Sequence, residues 1–101
     1  MNEMTPAGEM TTIANLIAQI DILPEEAVIY AIKPWTMASP ACYENNRDTP
    51  GSPFTLDNGA RYLLEATLIF EVLEGTFGDH WRSQPLNVLC DRVIDYAIRD
   101  A

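Results

Sequence analysis

Basic side chains are scarce in this sequence. One lysine (Lys33) and one histidine (His80) are present, and six lysines and arginines in all face fifteen aspartates and glutamates. The formal charge is −9 over 101 residues. Such a surface repels a phosphate backbone, which argues against direct nucleic-acid binding and in favour of basic partners. Cysteine is rarer still. Cys42 and Cys90 are distant in sequence and outside any Cys-x-x-Cys spacing, so with a single histidine no structural zinc site is expected. In a cytosolic chain two such cysteines are expected as small buried hydrophobes rather than as a disulfide.

Long apolar runs are missing too. The longest, Ala27 to Ile32, falls far short of the ~20 residues of a membrane-spanning helix. Before Met10 there is neither a positively charged region nor an apolar one of the kind a signal peptide carries, so the expected compartment is the cytoplasm. Ser39, Ser52 and Ser83 occupy no Gly-x-Ser-x-Gly context, and no glycine-rich phosphate loop occurs. No cofactor is implied.

What remains is a foldable chain. Apolar residues make up 48% of it, too many for a disordered acidic tail. The length suits one domain, expected over 11–101 behind a flexible leader at 1–10, where Pro6 and Gly8 discourage regular structure. Thr11 or Thr12 can cap a helix whose Ile13, Leu16, Ile17 and Ile20 form one apolar stripe, with Leu23-Pro24 as its stop. Ala27 to Ile32 reads as a buried strand, and a second strand is expected from Trp35 to Tyr43, with Pro40 marking an edge or bulge. Asn45, Asn46, Pro50, Gly51, Pro53 and Asn58 punctuate a surface loop over Glu44 to Asn58.

Arg61 to Ala66 suits a third strand or a helix start, and the strand is favoured, with Thr67 capping a helix faced by Ile69, Phe70, Leu73 and Phe77. Gly78 can end that helix. Pro85 then opens a last one, burying Leu86, Leu89, Val93, Ile94 and Ala97. The expected fold is α+β: about three antiparallel strands with three helices packed on them, in the order α-β-β-β-α-α.

The chemistry-bearing residues form no catalytic kit. His80 sits beside Asp79, but neighbours in sequence do not face each other on a helix end, so a surface histidine is the plain reading. Glu71 and Glu74, at i and i+3, could do acid–base work or hold a cation. With Ile69, Phe70, Leu73 and Phe77 claiming the inward face, both should instead point to water. Asp91 and Asp95 repeat that pattern, partly neutralised by Arg92 and Arg99. The residues expected to meet a protein partner are Trp35, Tyr43, Glu44, Asp48, Asp57, Glu71, Glu74 and Asp79; for Trp35 and Tyr43 core or edge packing is the competing role.

Four stretches carry a resemblance: Leu23-Pro24, Ala27-Val-Ile-Tyr, Trp35-Thr-Met-Ala-Ser-Pro40, and Asn58-Gly-Ala-Arg-Tyr-Leu-Leu-Glu-Ala-Thr67 leading into a helix. Together, over about residues 11–80, they resemble a family of small, acidic, uncharacterised bacterial proteins encoded among polymorphic-toxin and contact-dependent growth inhibition loci. In look-alikes the loop after the second strand often holds a dense aspartate run; here Glu44-Asn-Asn-Arg-Asp48 is diluted by Arg47. The resemblance implies an immunity protein that neutralises a cognate toxin, the expected target being a basic nuclease. Competing readings are a phage-encoded inhibitor or nucleic-acid mimic such as an anti-CRISPR, and a small enzyme using Glu71, Glu74 or His80. The enzyme reading requires those side chains to converge on one pocket.

Overall fold

Thr12 starts the first helix. The computed structural model describes residues 5–45 and 59–100, and in it the Thr12 hydroxyl accepts a hydrogen bond from the Asn15 backbone N–H at 3.1 Å. This cap satisfies one of the open donors of α1 (Ile13–Ala18), which follows a two-residue strand, β1 (Thr11–Thr12). The helix ends before Leu23-Pro24, the expected stop, because the chain turns at Gln19 to Ile22.

Three further strands follow: β2 (Val28–Ala31), β3 (Pro40–Glu44) and β4 (Arg61–Glu65). The sheet order is β1-β3-β2-β4, with every neighbouring pair antiparallel. Then come α2 (Ala66–Phe77), a 3-10 helix (Gly78–Ser83) and α3 (Leu86–Asp100). The fold is thus α+β as expected, with β1 and the 3-10 helix added to the anticipated order.

One apolar cluster joins the three helices to one face of the sheet. Ile29, Ala31 and Tyr43 meet Ile13, Leu16 and Ile17 of α1, Ile69 and Leu73 of α2, and Cys90 and Val93 of α3. Val28, Tyr30, Cys42 and Ala60 form a smaller cluster, as strand alternation requires of residues that point to the opposite face. The register shifts between Ile29 and Tyr30, so that Ile29 pairs with Leu64 and Tyr30 with Tyr62, leaving Leu63 as the extra residue of a bulge. The bulge lets consecutive Leu63 and Leu64 both join the main core. It also sets the Tyr30 and Tyr62 rings edge to face, 6.5 Å apart.

Several expectations are corrected. The second strand begins at Pro40, not Trp35, because residues 35–39 form a turn stapled by Ser39. Its hydroxyl accepts from the Thr36 N–H at 2.7 Å and donates to the Pro34 carbonyl at 2.9 Å. Strand β3 is internal rather than an edge, and Pro40 is tolerated as its first residue. Helix α2 starts at Ala66, two residues early for a Thr67 cap; Glu65 takes the cap position while still paired with Val28, and the Ala66 N–H donates to the Ala27 carbonyl at 2.9 Å.

Part of the expected leader is anchored. Thr5 is buried, its N–H donating to Gln19 Oε1 at 2.7 Å and its hydroxyl accepting from Gln19 Nε2 at 3.0 Å. The Gly8 N–H donates to the Tyr43 carbonyl at 2.8 Å.

Gly78 closes α2 at φ 73°, ψ −160°, a region that essentially only glycine occupies. Gly78→Ala should therefore lower stability by about 1–3 kcal/mol, read as a lower urea midpoint at an unchanged slope. An unshifted midpoint would mean that the 3-10 junction does not need this geometry.

Candidate partner-binding surface

Carboxylates and arginines partition unevenly. Arg82 makes a bidentate pair with Asp21, its Nε and Nη2 lying 2.7–3.1 Å from the two oxygens. Asp95 takes both Arg92 (3.3 Å) and Arg99 (3.0 Å). Two acids thus occupy three of the six basic residues. Among the described residues Glu25, Glu26, Glu65, Glu71, Glu74, Asp79 and Asp91 are exposed and in no ion pair.

Local structure arranges most of these acids along one side. Thr67, Glu71 and Glu74 fall at i, i+4 and i+7 of α2, hence on one flank. Asp79 follows in the 3-10 helix. At the helix start, Glu65 sits opposite Val28 in the ladder, and Glu25 and Glu26 lie just ahead of β2. Glu44 pairs with Val28 from the other side. The end of the sheet and the flank of α2 therefore form one acidic belt.

An apolar recess of about 300 Å³ opens beside this belt, between the turn after α1 and the start of α2. Ile20, Leu23, Pro24 and Phe70 supply its walls, and Asp21, Glu25 and Thr67 its polar groups. A second recess of about 240 Å³ shares Ile20 and Asp21 with it and reaches Trp81, Gln84 and Leu89. Arg82 lies over the aromatic pair beneath, its guanidinium carbon 4.2 Å from the Trp81 ring centre and 5.3 Å from that of Phe70. Those two rings meet edge to face at 5.3 Å. The Asp21 hydrogen bonds, with a smaller push from the charge of Glu74, raise the Arg82 pKa above its ordinary value.

The residues singled out in the sequence distribute as follows. Glu71, Glu74 and Asp79 are exposed and lie on the belt. Glu44 is half-buried at the end of β3, where its charge adds to burial in raising the pKa of Tyr30 and Cys42. Trp35 is half-buried, donates from its indole to the Ala31 carbonyl at 3.1 Å and stacks under Lys33 at 4.8 Å, apart from the belt. Tyr43 is a correction: at 1% exposure it lies in the main core, because its place in β3 points it toward the helices, and it offers a partner no surface. Asp48 and Asp57 lie outside the described residues. Sequence reasoning missed Asp21, Phe70, Trp81 and Arg82 as a unit; the only signal was Trp-Arg directly after His80, with no periodicity to place it.

Glu71, Glu74 and His80 are all exposed and line no common recess. Among the described residues no group of three or more His, Cys, Asp or Glu is placed to hold a metal ion, and no helix is long and apolar enough to cross a membrane.

Both cysteines are free and buried, Cys42 in the smaller cluster and Cys90 in the main core. Burial, helped by the charge of Asp91, pushes the Cys90 thiol up to about 11. A thiol pKa raised by folding gives stability that is complete below the unfolded pKa and lost as pH rises through the folded one. The urea midpoint should therefore fall as pH climbs from about 9 toward about 11, and fall less steeply in Cys90→Ala. Equal slopes in the two proteins would remove Cys90 from the account.

Compared with family models, curated proteins and solved structures, the chain finds no match.

Proposed function

We propose that this chain is a non-enzymatic immunity protein that binds a cognate bacterial toxin domain, a basic nuclease, and covers its substrate-binding surface. The observation that supports this most is the belt of Glu25, Glu26, Glu65, Glu71, Glu74 and Asp79, exposed on a folded domain and in no ion pair among the described residues. A nuclease must hold phosphates and is basic where it does so, and carboxylates fixed on a rigid helix flank compete for that surface. Opposite charge also speeds encounter, toward ~10⁸–10⁹ M⁻¹s⁻¹ at low salt. That speed suits a protein intercepting its target in the cytoplasm before damage accumulates.

Co-expression with the cognate toxin domain that this reading requires tests it. Growth should be rescued, and the purified complex should weaken as salt rises. Failure to rescue, or binding indifferent to salt, overturns it.

A further inference from the structure

Lys33 is the sole lysine, and among the described residues it meets no carboxylate. Arg82, Arg92 and Arg99 all do. In a chain of net charge −9 an unpaired cation is unexpected. The Lys33 ammonium rests instead on the Trp35 ring, 4.8 Å from its centre. Lys33, Pro34 and Trp35, with Ile98 of α3, line a recess of about 270 Å³. The two recesses beside the acidic belt both hold carboxylates, whereas none among the described residues lines this one. Ile98 is 59% exposed, more than any other large apolar side chain described.

The patch lies apart from the belt. Glu25 and Glu26 precede β2, and Lys33 to Trp35 follow its far end. Asp91 stands seven residues before Ile98, on the same side of α3, exposed and in no ion pair among the described residues. An apolar side chain with a carboxylate at helical spacing thus adjoins a recess with an aromatic wall and an unpaired cation. A surface holding both halves of a contact is self-complementary, which is the condition for a two-fold interface. We propose that two copies of this chain associate here, Ile98 of each entering the recess of the other and Lys33 of each meeting Asp91 of the other. The acidic belts stay outside the contact and remain open to basic partners. Stable interfaces use roughly 20–30 residues a side, so a contact centred on this small recess is weak. It also works against the repulsion between two chains of charge −9. Added salt screens that repulsion, so self-association should tighten as salt rises, the reverse of the behaviour expected for a basic partner.

Sedimentation equilibrium of the full chain, at concentrations up to about 1 mM and from low salt to about 0.5 M, tests this. A dimer should appear and grow with salt. Ile98→Gln, which keeps the charge at an exposed helical position, should weaken it about tenfold at an unchanged melting temperature. Lys33→Glu should weaken it too, and adding Asp91→Lys to that variant, which returns the net charge to −9, should restore it. Adding Glu71→Lys instead, which returns the same net charge from α2, should not.

A chain that stays monomeric throughout overturns the proposal and leaves the patch to a different protein. A dimer that survives Ile98→Gln, or that dissolves as salt rises, also overturns it and places the interface elsewhere. Equal rescue by Asp91→Lys and Glu71→Lys would reduce the effect to net charge and break the named pairing.

Discussion

Replacing both Glu71 and Glu74 by lysine should slow capture of a basic partner by roughly 10–100-fold at low salt while leaving the fold intact. Both side chains are exposed on the flank of α2 and ion-paired to nothing among the described residues, so no buried partner is stranded by the change. The double substitution shifts the net charge by four units and inverts the middle of the belt. Its effect on stability should stay within about 0.5 kcal/mol. Three small terms nearly cancel there: like charges face each other before and after, lysine suits the C-terminal end of a helix better than glutamate, and Arg82 loses a modest attraction. Association kinetics by stopped flow, beside a thermal melt, would check both halves. Loss of binding together with loss of folding would mean that the substitutions reported on the scaffold and not on the belt. An unchanged association rate would place the contact surface elsewhere.

The second large effect concerns the fold. Trp81→Ala should destabilise the domain by about 2–4 kcal/mol, a sizeable share of the ~5–10 kcal/mol expected for a domain of this length. Truncating a buried tryptophan costs about 3–5 kcal/mol through lost transfer energy and the cavity left behind. Against this, the orphaned indole N–H disappears, which returns part of about 1–3 kcal/mol. The cavity dominates because Trp81 is among the largest fully buried side chains and touches both Phe70 and the Arg82 guanidinium. Trp81→Phe should lose less, as it keeps a ring against Phe70. Urea melts of the three proteins settle the order. A Trp81→Ala variant as stable as the natural chain would show that the 3-10 helix is not part of the cooperative core.

The sequence showed some elements more plainly than others, for physical reasons. Helix α1 was legible because its stripe repeats at helical spacing and Thr12 supplies the cap. Strand β2 was legible because it is short, β-branched and buried on both faces. The start of β3 was not, since the staple that ends the turn comes from Ser39, whose hydroxyl bonds cannot be read from periodicity. Arg61 to Glu65 resisted a choice between strand and helix for a definite cause: the Leu63 bulge buries two successive leucines and erases the alternation that marks a strand.

The candidate site divides in the same way. Glu71, Glu74 and Asp79 were legible as exposed acids because the apolar residues of α2 claim its other side. Glu25 and Glu65 become part of the same belt only through the ladder that sets Glu65 beside Val28. The cluster of Asp21, Phe70, Trp81 and Arg82 spans sixty-one positions from Asp21 to Arg82. No local pattern announces a contact of that range. Tyr43 misled because flanking a strand says nothing about which face its side chain takes.

The most direct test of the central claim is the dissociation constant for the proposed partner, a basic toxin nuclease domain, measured over roughly a tenfold range of salt around the physiological value. At 0.15 M the screening length is only about 8 Å, so an interface built on exposed carboxylates must respond to added salt. Affinity should fall by at least about tenfold across that range, mainly through slower association. A dissociation constant that stays flat would contradict the account.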